Sequence, residues 1–141
     1  MTVSRSVGDA RLLELADAIE RSTVFNQVNI GRPAIDADSN FFNCGTPGCA
    51  IGHWRALHPC FNTAGSWTAP FALRDKPFDK NTFPLRVSSD ACRQQITDGE
   101  ALFSFDGCFN ASTDGRKAAA YLRAFVAFRK AGAIPYHPEA K

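Results

Sequence analysis

The sequence is poor in several features that would set its class at once. No apolar run approaches the roughly 20 residues that a membrane-spanning helix requires. Sixteen basic and fourteen acidic residues leave a net charge of only +2, too little to argue for nucleic acid or an acidic membrane surface. There is no internal repeat and no low-complexity run. The first ten residues, Met1 to Ala10, are polar with an early acid at Asp9. They lack the apolar stretch of a secretory signal, so a cytoplasmic location is expected. Methionine occurs once, and tyrosine and tryptophan twice each, against twelve phenylalanines. Rigid phenyl rings are therefore expected to fill much of the core.

What is present is ordinary globular material: 45% apolar and 21% charged residues over 141 positions. A chain of that length suits one domain and can fold without disulfides or metal. The five cysteines, Cys44, Cys49, Cys60, Cys92 and Cys108, are odd in number and scattered. They are expected to be reduced thiols, not a disulfide framework.

Periodicity predicts a helix over 9–21, where Leu12, Leu15, Ala16 and Ile19 recur at helical spacing. Thr46 followed by Pro47 is a helix-start signal, and Pro59 limits the helix to about 47–57. Ala50, Ile51, Trp54 and Leu57 would form its core face. Gly48, Gly52 and Ala56 would form a ridge of small residues suited to a close backbone approach. The segment 61–87 is rich in Pro, Asn, Asp and Phe and shows no helical period, so it reads as an irregular insertion. Within the same region, 66–73 and 83–87 are candidates for an edge hairpin containing Pro70 and Pro84. Ser88 or Ser89 can cap a helix running to about Gln95. Thr97 and Glu100 have capping-box spacing ahead of Ala101, Leu102 and Phe103. Thr113 and Asp114 open the longest predicted helix, about 114–131, which Gly132 and Pro135 end. The fold expected is a single all-α domain over 1–141, with four or five helices around a Phe-rich core and a long inserted loop or small β-hairpin.

The run Cys44-Gly45-Thr46-Pro47-Gly48-Cys49-Ala50-Ile51-Gly52 resembles the Cys-Gly-Thr-x-x-Cys-x-x-Gly motif of a set of small bacterial and phage-type proteins without an established activity. In those proteins an amphipathic helix precedes the motif. A capped segment ending in Leu-Phe and a final amphipathic helix follow it, as Thr97, Glu100, Leu102, Phe103 and the helix from Thr113 do here. The segment between Cys60 and Val87 is longer than in that pattern. The resemblance implies a helical fold in which Cys44, Gly45, Thr46, Cys49 and Gly52 are architectural. It implies no particular chemistry.

Three chemical readings stand beside the architectural one. Cys49 and His53 are four residues apart on one helix face, as two zinc ligands would be, with Cys44 and either His58 or Cys60 completing a set. The spacing matches no standard finger or ribbon, and in the resembling proteins Trp stands at the position of His53. Alternatively Cys49, near a helix start, would be a nucleophile with His53 as its base, although no orienting acid is evident. Arg116, Arg123 and Lys130, seven residues apart, with Lys117 and Arg129 nearby, would let one helix contact phosphates. Without a nucleic-acid-binding motif, a solvated face is the expectation. A calcium loop from Asp36, Asp38 and Asn40 fails, because Phe41 stands where Gly is needed and Pro47 where Glu is needed. The function expected is therefore a non-catalytic accessory or interaction domain with a protein partner and no cofactor. Trp67, Phe71, Phe78 and Phe83 in the insertion are its candidate contact residues, unless these rings close over the core. Zinc-dependent or thiol-dependent chemistry at Cys44, Cys49, His53 and Cys60 is the alternative.

Overall fold

A computed structural model describes residues 3–25, 50–59, 69–79, 82–85, 95–103 and 114–141. Among them the chain is mainly helical. The elements in order are α1 (Arg5–Arg21), α2 (Ala50–Leu57), a 3₁₀ turn (Ala69–Phe71), β1 (Phe78–Asp79), β2 (Gln95–Ile96), α3 (Asp98–Phe103) and α4 (Gly115–Lys130).

The two long helices carry the signals expected of them. Leu12, Leu15, Ala16 and Ile19 of α1 are wholly buried. The helix begins four residues ahead of the expected start because the Ser4 hydroxyl accepts from Val7 N at 3.3 Å and caps it. Asp114 caps α4, accepting from Arg116 N at 2.9 Å and Lys117 N at 3.4 Å. The stripe Ala118, Ala119, Leu122, Phe125, Val126 faces inward. The two helices run antiparallel. Gly115 at the start of α4 lies against Ile19 near the end of α1, and Arg129 near the end of α4 pairs with Asp9 near the start of α1. A Cβ at residue 115 would stand 2.5 Å from the Ile19 carbonyl oxygen, so only glycine admits this approach. Gly8 plays the same part near the start of α1, where a Cβ would meet the Phe71 carbonyl oxygen at 2.7 Å. Of the expected small-residue ridge, Gly52 is half-buried within α2 and Gly48 lies outside the described residues.

The core is rich in phenylalanine, as expected. Trp54 meets Phe71 edge-on at 4.9 Å, Phe71 leads to Phe103 at 5.5 Å, and Phe83 approaches Phe125 at 6.0 Å. The described parts of the 61–87 segment thus supply the core instead of standing apart from it. Phe71, Leu73, Phe83 and Leu85 are all buried. Of the expected hairpin between 66–73 and 83–87, the described residues 69–73 and 83–85 form no strand, and the others lie outside the described residues. Instead β1 and β2 run antiparallel with Phe78 opposite Ile96 and Asp79 opposite Gln95. Residues 69–71 form the 3₁₀ turn, and Ala72 takes a left-handed φ of 54°, which ends any extended run there. Gln95, expected to close a helix, belongs to β2. The Thr97 capping box forms as expected: Glu100 N donates to Thr97 Oγ1 at 3.2 Å, and Thr97 N donates to Glu100 Oε2 at 2.8 Å.

Candidate functional site

Of the motif-centred residues, Cys44, Gly45, Thr46, Cys49 and Cys60 lie outside the described residues, as does Trp67. His53 is described, and it is not the half-exposed side chain a solvent-facing site would present. It is 9% exposed and shares the inner face of α2 with Ala50, Ile51 and Trp54. Leu57, expected on that face, is 40% exposed instead. His53 Nε2 lies 2.6 Å from the Ser22 hydroxyl at the C-cap of α1. That hydroxyl also accepts from Val24 N at 3.1 Å, which leaves its own hydrogen to donate to the imidazole. The Phe25 ring lies 5.7 Å from the His53 ring. The contact joins the end of α1 to α2.

A second joint lies just past the end of α2. His58 Nε2 meets Glu14 Oε1 of α1 at 3.1 Å, and the His58 ring lies 4.2 Å from Trp54. His58 is thereby engaged with α1, not with His53. Among the described residues, no three His, Cys, Asp or Glu side chains converge as metal ligands.

The binding candidates in the insertion divide. Phe71 is wholly buried between Trp54 and Phe103, and Phe83 is buried between Phe78 and Phe125. Both rings close over the core, because each is reached by core aromatics from two elements. Phe78 is partly buried, with the Arg74 guanidinium 5.8 Å from its ring centre. The basic face of α4 also divides. Arg123 turns back to α1, where it pairs with Asp17 at 2.7 Å and with Glu20. Arg129 is buried, while Arg116, Lys117 and Lys130 remain at the surface.

Arg129 lies at the centre of a buried network that periodicity alone does not disclose. Its Nε donates to Asp9 Oδ1 at 2.9 Å, and its Nη2 reaches the same oxygen. Its Nη1 donates to the carbonyls of Phe71 at 3.2 Å and Ala72 at 3.4 Å. Tyr136 donates to Asp9 Oδ2 at 2.7 Å, and its ring lies beneath the guanidinium at 4.6 Å. Burial, followed by donation to Asp9, raises the Tyr136 phenol above its ordinary pKa. Four parts of the chain meet here: α1, the turn after Phe71, α4 and the segment following α4. The available signal was positional. Asp9 and Arg129 both fall on the apolar stripes of their helices, where a charge must be paired.

Asp98 is the other buried acid. It is fully enclosed at the first residue of α3, and Oδ2 accepts from Arg74 N at 2.9 Å. Among the described residues Oδ1 has no hydrogen-bond partner. Burial outweighs the Arg74 hydrogen bond and the positive charges of Arg74 and Arg129, and raises the carboxyl pKa to about 6. The capping-box spacing marked its neighbours Thr97 and Glu100, but nothing in the sequence marked Asp98.

Comparison of the chain with protein-family models, curated proteins and solved structures finds no match. No helix among the described residues is long and apolar enough to cross a membrane.

Proposed function

We propose that the protein is a small non-catalytic accessory or interaction domain of the cytoplasm whose partner is another protein. The observation that supports this most directly is His53. Its Nε2 is held by Ser22 and its ring packs beside Phe25, so the one described side chain common to both chemical alternatives serves as a joint between helices. Zinc or a thiol at Nε2 would have to displace the Ser22 hydroxyl. The architectural role of the motif, and its likeness to the bacterial and phage-type proteins, belong to the same proposal.

With Phe71 and Phe83 in the core, the contact surface narrows to Trp67 and the part-buried Phe78. Exposed apolar side chains at Val24 (64%) and Leu57 (40%) flank the α1–α2 joint. Single exposed apolar residues are common, so they extend the surface only if the same partner reaches them. A photo-crosslinking residue at 67, and separately at 57, in the full chain in its host tests the reading. One discrete protein adduct from both positions, absent from a control at Lys130, supports it. Adducts indistinguishable from the control contradict it. Loss of a measured activity in Cys49→Ser with an unchanged melting temperature would favour the zinc or thiol alternative instead.

A further inference from the structure

The segment from Phe71 to Asp75 is held in an unusual way. It leaves the 3₁₀ turn through Ala72, whose left-handed φ of 54° is costly for a residue with a Cβ. Among the described residues, most ties across it come from side chains. Arg11 donates to the Pro70 carbonyl at 3.2 Å, just ahead of it. Arg129 holds the carbonyls of Phe71 and Ala72, and the backbone amide of His137 also donates to Ala72 O at 3.2 Å. Asp98 holds the Arg74 amide at 2.9 Å. Glu139 N donates to His137 Nδ1 at 3.1 Å, so Nε2 carries the hydrogen that reaches Asp75 Oδ2 at 3.0 Å. The strained segment keeps Phe71 between Trp54 and Phe103, so its position is coupled to the core.

Asp98 is the weak member of this set. One oxygen is committed to the strap and the other is buried without a partner among the described residues. A carboxylate in that position carries a charge that its surroundings only partly offset. The charged groups facing it are Arg74 and Asp75 from the strap and Arg129 from α4, the last already committed to Asp9 of α1 beside Tyr136. Glu100, on the same short helix, is turned to the Thr97 amide.

We infer that the Phe71–Asp75 segment is a proton-responsive strap, tightened when the Asp98 carboxyl takes up one proton and loosened when it gives that proton up. The proton removes the buried charge, while Oδ2 still accepts from Arg74 N. The direction follows from linkage. The folded pKa, about 6, lies above the ordinary value of 3.8, so the closed strap binds more protons than the opened one between those values. Closure is therefore favoured as pH falls through about 6 and is lost progressively as pH rises. This inference stands apart from the proposed partner.

Amide hydrogen exchange on the full chain, corrected for intrinsic rates, tests it at pH 5 and pH 7. The protection of Arg74 N–H is expected to be about tenfold greater at pH 5, the ratio set by the two pKa values. Leu122, in the middle of α4, is expected to gain less. Asp98→Asn, which keeps an acceptor for Arg74 but cannot ionise, should abolish the difference. Equal protection of Arg74 at the two pH values in the wild type would overturn the inference. So would a pH effect undiminished in Asp98→Asn. The wild-type comparison decides the matter even if the variant folds poorly.

Discussion

At the scale of single residues, the structure is held by a few buried polar groups whose loss has different consequences. Removing Arg129 would leave the enclosed Asp9 carboxylate without its cation, accompanied among the described residues by the Tyr136 hydroxyl. Breaking a buried pair from one side typically costs about 3–5 kcal/mol, mostly through the orphaned charge. Arg129→Met should accordingly lower the urea unfolding free energy by about that amount. Asp9→Asn combined with Arg129→Met should recover part of the loss, because the orphaned charge is then gone. If the double variant is weaker than Arg129→Met by the full cost of a second independent lesion, the two residues are not the coupled pair described here. Arg123 provides the contrast. Its partners Asp17 and Glu20 are exposed, so Arg123→Ala should cost no more than about 1 kcal/mol, and less at high salt. A larger, salt-independent loss would contradict that account.

At the scale of elements, legibility depended on how local the determining physics is. α1 and α4 were legible because their apolar stripes repeat at helical spacing and their ends carry side-chain caps. The Thr97–Glu100 box was legible for the same reason: both of its hydrogen bonds span three residues. The pairing of β1 with β2 was not. Each strand is two residues long, too short for alternation to register, and the partners are joined through distant chain. Gly8 and Gly115 carry no local signal of their role, because a glycine's part in close approach depends on what lies opposite it. At 115 that is the carbonyl of Ile19, almost a hundred residues away in sequence. Gly115→Ala should therefore destabilise the protein by about 1–3 kcal/mol through overpacking, although alanine is the better helix former. A stability unchanged or raised in thermal unfolding would show that the α1–α4 contact yields easily. At the start of α3, Thr97→Ala should cost about 1 kcal/mol by loss of the cap to Glu100 N. A change within error would mean that packing alone holds this short helix.

At the scale of the whole molecule, the described ion pairs and side-chain hydrogen bonds mostly join one element to another. Arg129 links α1, α4 and the strap, Arg123 links α4 to α1, and His53 and His58 link α2 to α1. The candidate site was legible in the sequence only in part. His53 stood out by its spacing from Cys49, yet its actual neighbour, Ser22, lies 31 residues earlier and carries no motif. Asp98 carries no short-range pattern, and Asp9 and Arg129 carry only their places on apolar stripes, since the partners are set by how the helices pack. The central proposal is that His53 is a joint in a non-catalytic domain that acts through a protein partner. The most direct test is native mass spectrometry of the untagged protein, isolated gently from its host. The account predicts a metal-free chain that carries a discrete co-purified protein. A stoichiometric mass of zinc, lost together with the fold on chelation, would contradict it and return His53, with the cysteines, to chemistry.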